Sequence, residues 1–336
     1  MEKRQLGVHG PEVSRFAFGA MMFGGAADEQ ASYAMLDRYV AMGGTMVDTS
    51  DNYNDGTSER WLGRWLRDHP GVRDELTLAT KGRFMVTGQP GASLTADYLN
   101  TALDASLRRL GVDHVDLYQL HGPDADHPVD EVVGFLTDAV ASGRTRYVGV
   151  SNLAGWQVAK LARLLHESGG PPLVSQQIQY SLLAREPEWE QIPAGIDAGL
   201  GAILWGPLGQ GWLTGKYQRG VRPPAGTRVG DSPDSVSESW QRRNNDRTWA
   251  IVETLTKVAA EHGVTPAQAA LAWAADRPGV TAPIVGARRA EQLDETLAAA
   301  DLHLDPAAAR TLDEVSAPPT AHYPYAFLET ISHWHS

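Results

Sequence analysis

The sequence contains no cysteine. Disulfides, thiolate nucleophiles and cysteine-held zinc or iron–sulfur centres are therefore excluded. Histidine occurs 11 times, yet never in an H-E-x-x-H or comparable ligand pattern, so no metal centre is expected. Cations are scarce as well: 29 lysines and arginines stand against 41 aspartates and glutamates, a formal charge of −12. A surface that acidic repels phosphate backbones and anionic lipid, which argues against nucleic acid and membrane as partners. A local basic pocket for one small anionic ligand is still compatible with it. No apolar run reaches the ~18 residues of a membrane span. The opening Met1-Glu2-Lys3-Arg4-Gln5-Leu6-Gly7 holds no apolar core of signal-peptide length, and a cytoplasmic protein is expected.

What the chain does have is alternation. Its 336 residues, 42% of them hydrophobic, suffice for a substantial core. Short β-like runs are followed by amphipathic stretches, eight times over. Phe16–Gly19 precedes 29–42, Thr45–Asp48 precedes 58–67, Leu76–Thr80 precedes 96–110, and Val115–Leu120 precedes 129–141. Tyr147–Val150 then leads into 154–166, Leu173–Gln177 into 189–198, Gly201–Trp205 into 248–262, and Thr281–Val285 into 290–299. In the stretch 96–110, Leu99, Leu103, Leu107 and Leu110 recur at helical spacing. Strand–helix alternation implies a parallel sheet with right-handed crossovers, and eight units point to closure into a (β/α)8 barrel. Such barrels commonly exceed 250 residues as one unit, so a single domain over 1–336 is expected.

Several segments lie outside the repeat. Residues 5–15, with Gly7, Gly10 and Pro11, suggest a hairpin that plugs the barrel bottom. Residues 218–245 are rich in Gly and Pro and predict a long loop, of the kind that is usually either a lid or disordered. Thr265 and Pro266 suit the start of an extra helix over 265–277. The tail 318–336, rich in His, Tyr and Trp, is expected to pack over the body.

In barrels of this type chemistry gathers at the C-terminal rim of the strands. Asp48, Lys81 and His121 follow the second, third and fourth strands, and Tyr53 lies in the same loop as Asp48. A tyrosine with its ordinary pKa near ~10 is a poor acid–base group at neutral pH, but a neighbouring ammonium lowers that value. Lys81 can supply the charge, Asp48 can hold Lys81 protonated, and His121 can donate a hydrogen bond to a substrate oxygen. Together they can protonate an oxygen that gains negative charge as hydride reaches a carbonyl carbon. Each residue also has a structural alternative: a scaffold ion pair for Asp48 and Lys81, a surface aromatic for Tyr53, a turn histidine for His121.

These residues resemble the aldo-keto reductase superfamily, from about Leu6 to Ala317. Val47-Asp48-Thr49-Ser50-Asp51-Asn52-Tyr53 resembles its first signature, and Leu78–Lys81 and Leu117–His121 resemble the stretches that contribute its lysine and histidine. The resemblance implies Asp48, Tyr53, Lys81 and His121 as the catalytic set, with NADPH or NADH passing hydride directly to an aldehyde or ketone, reversibly.

It also implies a cofactor site. Ser151, Asn152 and Gln177 resemble the residues that hold the nicotinamide carboxamide. Trp205-Gly206-Pro207-Leu208, together with Gly211 and Lys216, resemble the loop whose aromatic stacks on nicotinamide and whose backbone approaches the pyrophosphate. Trp205 stands where relatives often have tyrosine. Gly286, Arg288, Gln292, Glu295 and Thr296 resemble the adenosine end, where an arginine near a helix N-terminus suits a ribose 2′-phosphate and favours NADPH over NADH. Thr296 stands where many relatives carry asparagine. The alternatives are a helix cap for Ser151 and Asn152 and a solvated helix start for Arg288.

A second function follows from the related potassium-channel β subunits: a redox-sensing subunit that binds cofactor tightly and turns over slowly. The chain shows no long N-terminal extension of the channel-blocking kind. Substrate identity is not encoded legibly. Phe23, Phe84, Trp212, Trp240, Tyr323 and Tyr325 are candidates for an aromatic pocket wall, with internal packing or a subunit contact as the alternative, and a homo-oligomer is compatible with the sequence.

Overall fold

The computed structural model describes residues 1–87, 91–231, 238–319 and 322–332. Two short strands, β1 (Lys3–Gln5) and β2 (Glu12–Ser14), pair antiparallel, with Arg4 opposite Val13. Eight parallel strands follow: β3 (Ala17–Gly19), β4 (Met46–Asp48), β5 (Thr77–Gly82), β6 (Val115–Leu120), β7 (Thr145–Ser151), β8 (Leu173–Gln179), β9 (Gly201–Trp205) and β10 (Val280–Val285). They close in sequence order into a barrel, β10 pairing with both β9 and β3. The eight expected strand–helix units are all present.

The outer helices form for reasons visible in their sequences. In Ala96–Leu110 the Thr95 side chain accepts from Tyr98 N at the start. Leu99, Leu103 and Leu110 face the core, and Gly111 ends the helix in the left-handed region (φ +67), its N–H donating to Leu107 O. Pro266–Ala275 opens with a reciprocal cap in which Thr265 and Gln268 satisfy each other's backbone N–H groups. A helix outside the repeat, Pro306–Ser316, is capped by Asp305, whose side chain accepts from Ala307 N and Ala308 N.

The barrel interior is layered, and the layers separate stability from chemistry. At the N-terminal mouth, Leu6 and Val13 of the hairpin pack on Ala17, Met46, Ala79, Leu117, Val174, Ile203 and Ala282, all buried. This is the expected plug, tied down further where Val8 N donates to Gly199 O. One level higher the inward residues turn polar: Asp48, Lys81, Gln119, Ser175 and Gln177. Gly149 makes room for them, since a side-chain carbon there would lie 2.1 Å from Ser175 Oγ. A polar layer this deep is tolerable only because its members bond to one another.

Two expectations need adjustment. Lys81 lies inside β5 rather than after it, because β5 continues to Gly82, which pairs with Leu120. The segment 218–245 is not wholly irregular: Arg228–Asp231 and Trp240–Arg243 are short helices, with 232–237 outside the described residues. Within the tail, Tyr325 stacks on Trp189 (ring centroids 5.3 Å apart) and its hydroxyl donates to Glu190 at 2.8 Å; residues 320, 321 and 333–336 lie outside the described residues. Among the described residues no helix is long and apolar enough to cross a membrane.

Candidate active site

The C-terminal mouth of the barrel opens into a cavity of about 680 Å³. Asp48, Tyr53 and His121 line it, as do Ser151, Asn152, Gln177, Trp205, Gly206, Pro207, Leu208, Gly211, Lys216, Gly286, Arg288, Gln292, Glu295 and Thr296. Of the site residues named from sequence, Lys81 stands apart: it sits behind the cavity wall, fully buried.

Lys81 is held from two sides. Its Nζ donates to Asp48 Oδ2 at 2.7 Å and to Thr49 O at 2.7 Å. It lies 4.9 Å from the centre of the Tyr53 ring. Burial works against its charge, but Asp48 and Tyr53 outweigh burial, so its pKa is raised and the ammonium persists. The other Asp48 oxygen accepts from Gln177 Nε2 at 2.8 Å and from Gln119 Nε2 at 3.4 Å. The carboxylate thus has its lone pairs occupied, which a buried ion pair requires.

The Tyr53 phenol departs from the expectation in direction. Burial raises its pKa above the ordinary value of 10, Lys81 pulls it down, and Asp48 pushes it up again; the net shift is upward. Lys81 therefore offsets part of a burial cost instead of producing a tyrosine more acidic than usual. His121 faces Tyr53 edge-on (5.8 Å) and Phe84 likewise (4.7 Å). Burial, with Lys81 and Arg83 nearby, drives its pKa well below 6.5, so the imidazole is neutral.

The candidate nicotinamide residues form one hydrogen-bonded chain. Trp205 Nε1 donates to Asn152 Oδ1 (2.9 Å), Asn152 Nδ2 to Ser151 Oγ (3.0 Å) and to His121 O (3.1 Å), and Ser151 Oγ to Gln177 O (2.9 Å). Asn152 adopts a left-handed backbone (φ +59), which asparagine tolerates better than most residues. Gln177 has two neighbours to serve, since its amide also reaches Asp48.

The far end of the cavity carries positive charge. Lys216, Arg228 and Arg288 all line it. Arg288 pairs with Asp231 at 3.2 Å and donates to Gly226 O. Lys216 and Arg228 have no carboxylate partner among the described residues. Burial and the nearby Arg288 lower the pKa of both Lys216 and Arg228, and Arg228 adds to the effect on Lys216. Gly211 (φ +101) lets Lys216 lie there, since a side-chain carbon at 211 would come within 2.6 Å of its Nζ. Uncompensated cations around a cavity suit a ligand with phosphate groups, so the residues present fit a dinucleotide.

Sequence reasoning missed part of this lining. Arg228, Thr227 and Gly226 enter from the 218–245 segment, Thr214 from the turn after Trp212, and Ala267 from the extra helix. A lone arginine in a Gly- and Pro-rich loop carries no pattern that would have singled out Arg228. The aromatic wall is also smaller than expected. Among the six candidates Phe84 lines the cavity, whereas Trp212 is fully buried and stacks on Trp240 (5.4 Å) in a second core. Phe23 is buried against Phe18, Tyr323 is exposed, and Tyr325 packs on Trp189. The buried ones among these aromatics, Phe23 and Trp212, stabilise the shell around the barrel because that is where their area is removed from water. Among the described residues no cluster of His, Asp or Glu could hold a metal ion.

With this geometry described, comparison with known proteins identifies the family. The Aldo/keto reductase family model matches residues 15–317. The chain belongs to that family. It is 33% identical to an uncharacterized oxidoreductase, YrpG, of Bacillus subtilis, over 97% of this chain and 99% of the relative. It is 30% identical to the aldo-keto reductase yakc [NADP(+)] of Schizosaccharomyces pombe (90% and 88% covered) and 33% identical to the L-glyceraldehyde 3-phosphate reductase of Escherichia coli O157:H7 (89% and 87% covered). As an aldo/keto reductase the protein is an NAD(P)H-dependent oxidoreductase, and a small-molecule substrate fits that class.

Proposed function

We propose that this aldo/keto reductase reduces an aldehyde or ketone with NADPH, reversibly, and that Tyr53 gives and takes the proton. The observation that carries this reading is the Lys81 ammonium 4.9 Å from the Tyr53 ring with Asp48 locked behind it. A nicotinamide cofactor bound in the cavity supplies hydride to a carbonyl carbon, or takes it from an alcohol.

The protein's part is acid–base and electrostatic. Tyr53 Oη donates its proton to the oxygen that gains charge. Lys81, kept protonated by Asp48, stabilises the phenolate left behind. His121, neutral, offers a ring N–H to the same oxygen. In the oxidation direction the phenolate accepts the alcohol proton, and the same ammonium lowers the cost of forming it. Ser151, Asn152 and Gln177 offer the donors and acceptors that fix a carboxamide. Lys216, Arg228 and Arg288 answer phosphate charge, and Arg288 beside the helix that starts at Ala290 is the candidate for a ribose 2′-phosphate. NADPH is the preferred cofactor in this reading, supported by the arginine content of the cavity and by the fission-yeast relative named for NADP(+). NADH is the weaker alternative.

The test is direct: purified protein is mixed with NADPH, or with NADH, and a panel of reactive aldehydes and diketones while reduced-nicotinamide absorbance is followed. Consumption that requires both carbonyl and cofactor supports the reductase. Tight cofactor binding with no turnover on any carbonyl would favour a redox-sensing subunit instead.

A further inference from the structure

The loop from Asp48 to Tyr53 holds a carboxyl group that the mechanism above does not use. Asp51 is fully buried. Among the described residues its Oδ2 has no hydrogen-bond partner, and neither has the buried Tyr118 hydroxyl beside it. Both oxygens hang over Gly82, where a side-chain carbon would lie 3.3 Å from Asp51 Oδ2 and 2.1 Å from Tyr118 Oη. The charged and titratable groups around Asp51 are Glu59, Arg109, Tyr98, Tyr118 and Tyr53. Arg109 is committed to Glu59, its Nε donating to Oε2 at 2.6 Å, so among the described residues Asp51 is paired with no cation of its own. Burial and the Glu59 carboxylate push the Asp51 pKa up to about 7.

The other oxygen of Asp51 points toward the active site. Oδ1 lies 3.2 Å from Ser50 Oγ, and Ser50 Oγ lies 3.0 Å from His121 Nδ1. Two hydrogen bonds therefore connect a buried carboxyl to the imidazole that faces Tyr53 edge-on. A hydroxyl has one proton and two lone pairs, so these bonds are not independent. If Asp51 donates to Ser50, the Ser50 proton is free for Nδ1, and the ring carries its own proton on Nε2. If Asp51 is ionised, it takes the Ser50 proton, and Ser50 can only accept from Nδ1–H. The remaining neighbours of Ser50 Oγ, Asn52 Oδ1 (2.8 Å) and Lys81 O (3.2 Å), are acceptors. They compete for the same proton, and Lys81 O already receives Asp51 N–H.

We propose that Asp51 and Ser50 are positioning residues that set the tautomer of His121. With Asp51 protonated, the ring proton sits on Nε2; with Asp51 ionised, it sits on Nδ1. The change balances as a relay. The Asp51 proton passes to Ser50 Oγ as the Ser50 proton passes to Nδ1, Nε2 releases its proton to cavity water, and one proton leaves in total. The consequence for turnover rests on the reductase reading: a ring with bare Nε2 cannot donate to a carbonyl oxygen. The tautomer itself does not depend on that reading.

The experiment uses the full chain labelled with ¹⁵N-histidine and no substrate. Two-bond ¹⁵N–¹H correlations identify which ring nitrogen is protonated, with His121→Gln assigning the signals. Wild type is expected to show the Nε2–H pattern on the acid side and to cross to Nδ1–H with a midpoint near the Asp51 value of about 7. Asp51→Asn, whose amide N–H replaces the acid as donor, holds Nε2–H throughout. Ser50→Ala abolishes the crossing, and Ser50→Thr, which keeps the hydroxyl, restores it. The other histidines report whether each variant is folded. A wild-type His121 with one unchanging pattern would overturn the proposal, as would a crossing of the same midpoint in Asp51→Asn or Ser50→Ala. Because the spectra need no turnover, failure to reduce any carbonyl would leave this result standing.

Discussion

Lys81 Nζ lies 2.7 Å from Asp48 Oδ2, and neither side chain reaches solvent appreciably. A pair this deep is costly to desolvate, and removing one partner leaves an uncompensated charge worth about 3–5 kcal/mol. Asp48→Ala is therefore expected to lower stability in urea by that order, whereas Asp48→Ala combined with Lys81→Met loses less than the sum of the two single variants. Additive losses would mean that the pair is not coupled as the distances indicate.

The depressed pKa of His121 has a sign that pH profiles can read. A neutral ring stays neutral at every pH above its lowered value, so lowering the pH from neutral through the ordinary histidine range leaves carbonyl reduction undiminished by histidine protonation. A kcat/KM profile that falls with an apparent pKa near ~6.5, the ordinary histidine value, would contradict the assignment.

The raised Tyr53 pKa predicts opposite behaviour in the two directions. The phenol keeps its proton up to and beyond its ordinary value of 10, so reduction has its acid throughout the neutral range. Alcohol oxidation needs the phenolate and rises with pH. Lys81→Met removes the largest opposing influence and shifts the rise in oxidation further to alkaline pH, measurable as a displaced kcat profile. An unmoved profile would remove Lys81 from the proton step.

At the other end of the cavity, Arg288 and Arg228 are expected to act differently from the catalytic group. Losing a charge-assisted hydrogen bond costs about 1.5–3 kcal/mol, or roughly 10- to 150-fold in affinity. Arg288→Ala is expected to weaken NADPH by that order and NADH little. Arg228→Ala, which removes a second cation from the cavity lining, is expected to weaken both. Fluorescence titration of the two cofactors distinguishes them, and equal loss of NADPH and NADH in Arg288→Ala would move the 2′-phosphate contact elsewhere.

The barrel was legible because each strand–helix unit repeats its pattern locally: buried strands read as apolar runs, and helices such as Ala96–Leu110 carry their own caps and leucine spacing. Asp48, Lys81 and His121 were legible for a related reason, since polar residues at the ends of apolar strands fall on the rim where such barrels gather their chemistry. Local pattern failed where tertiary packing decides. Trp212 and Trp240 look like pocket residues in a glycine-rich loop, yet they stack into a buried cluster with Trp249. Arg228 reaches the cavity only because a short helix interrupts the loop. The link from Asp51 through Ser50 to His121 joins residues 70 and more positions apart in sequence and is invisible until β4 and β6 are folded beside β5.

The most direct test is a single-turnover comparison of wild type and Tyr53→Phe, each preloaded with NADPH and mixed with a reactive aldehyde. The account predicts that the variant binds cofactor as wild type does but loses about 10²–10⁴ in the rate of reduction. A variant that reduces the aldehyde at close to the wild-type rate would contradict Tyr53 as the proton donor, and with it the mechanism built on Lys81 and Asp48.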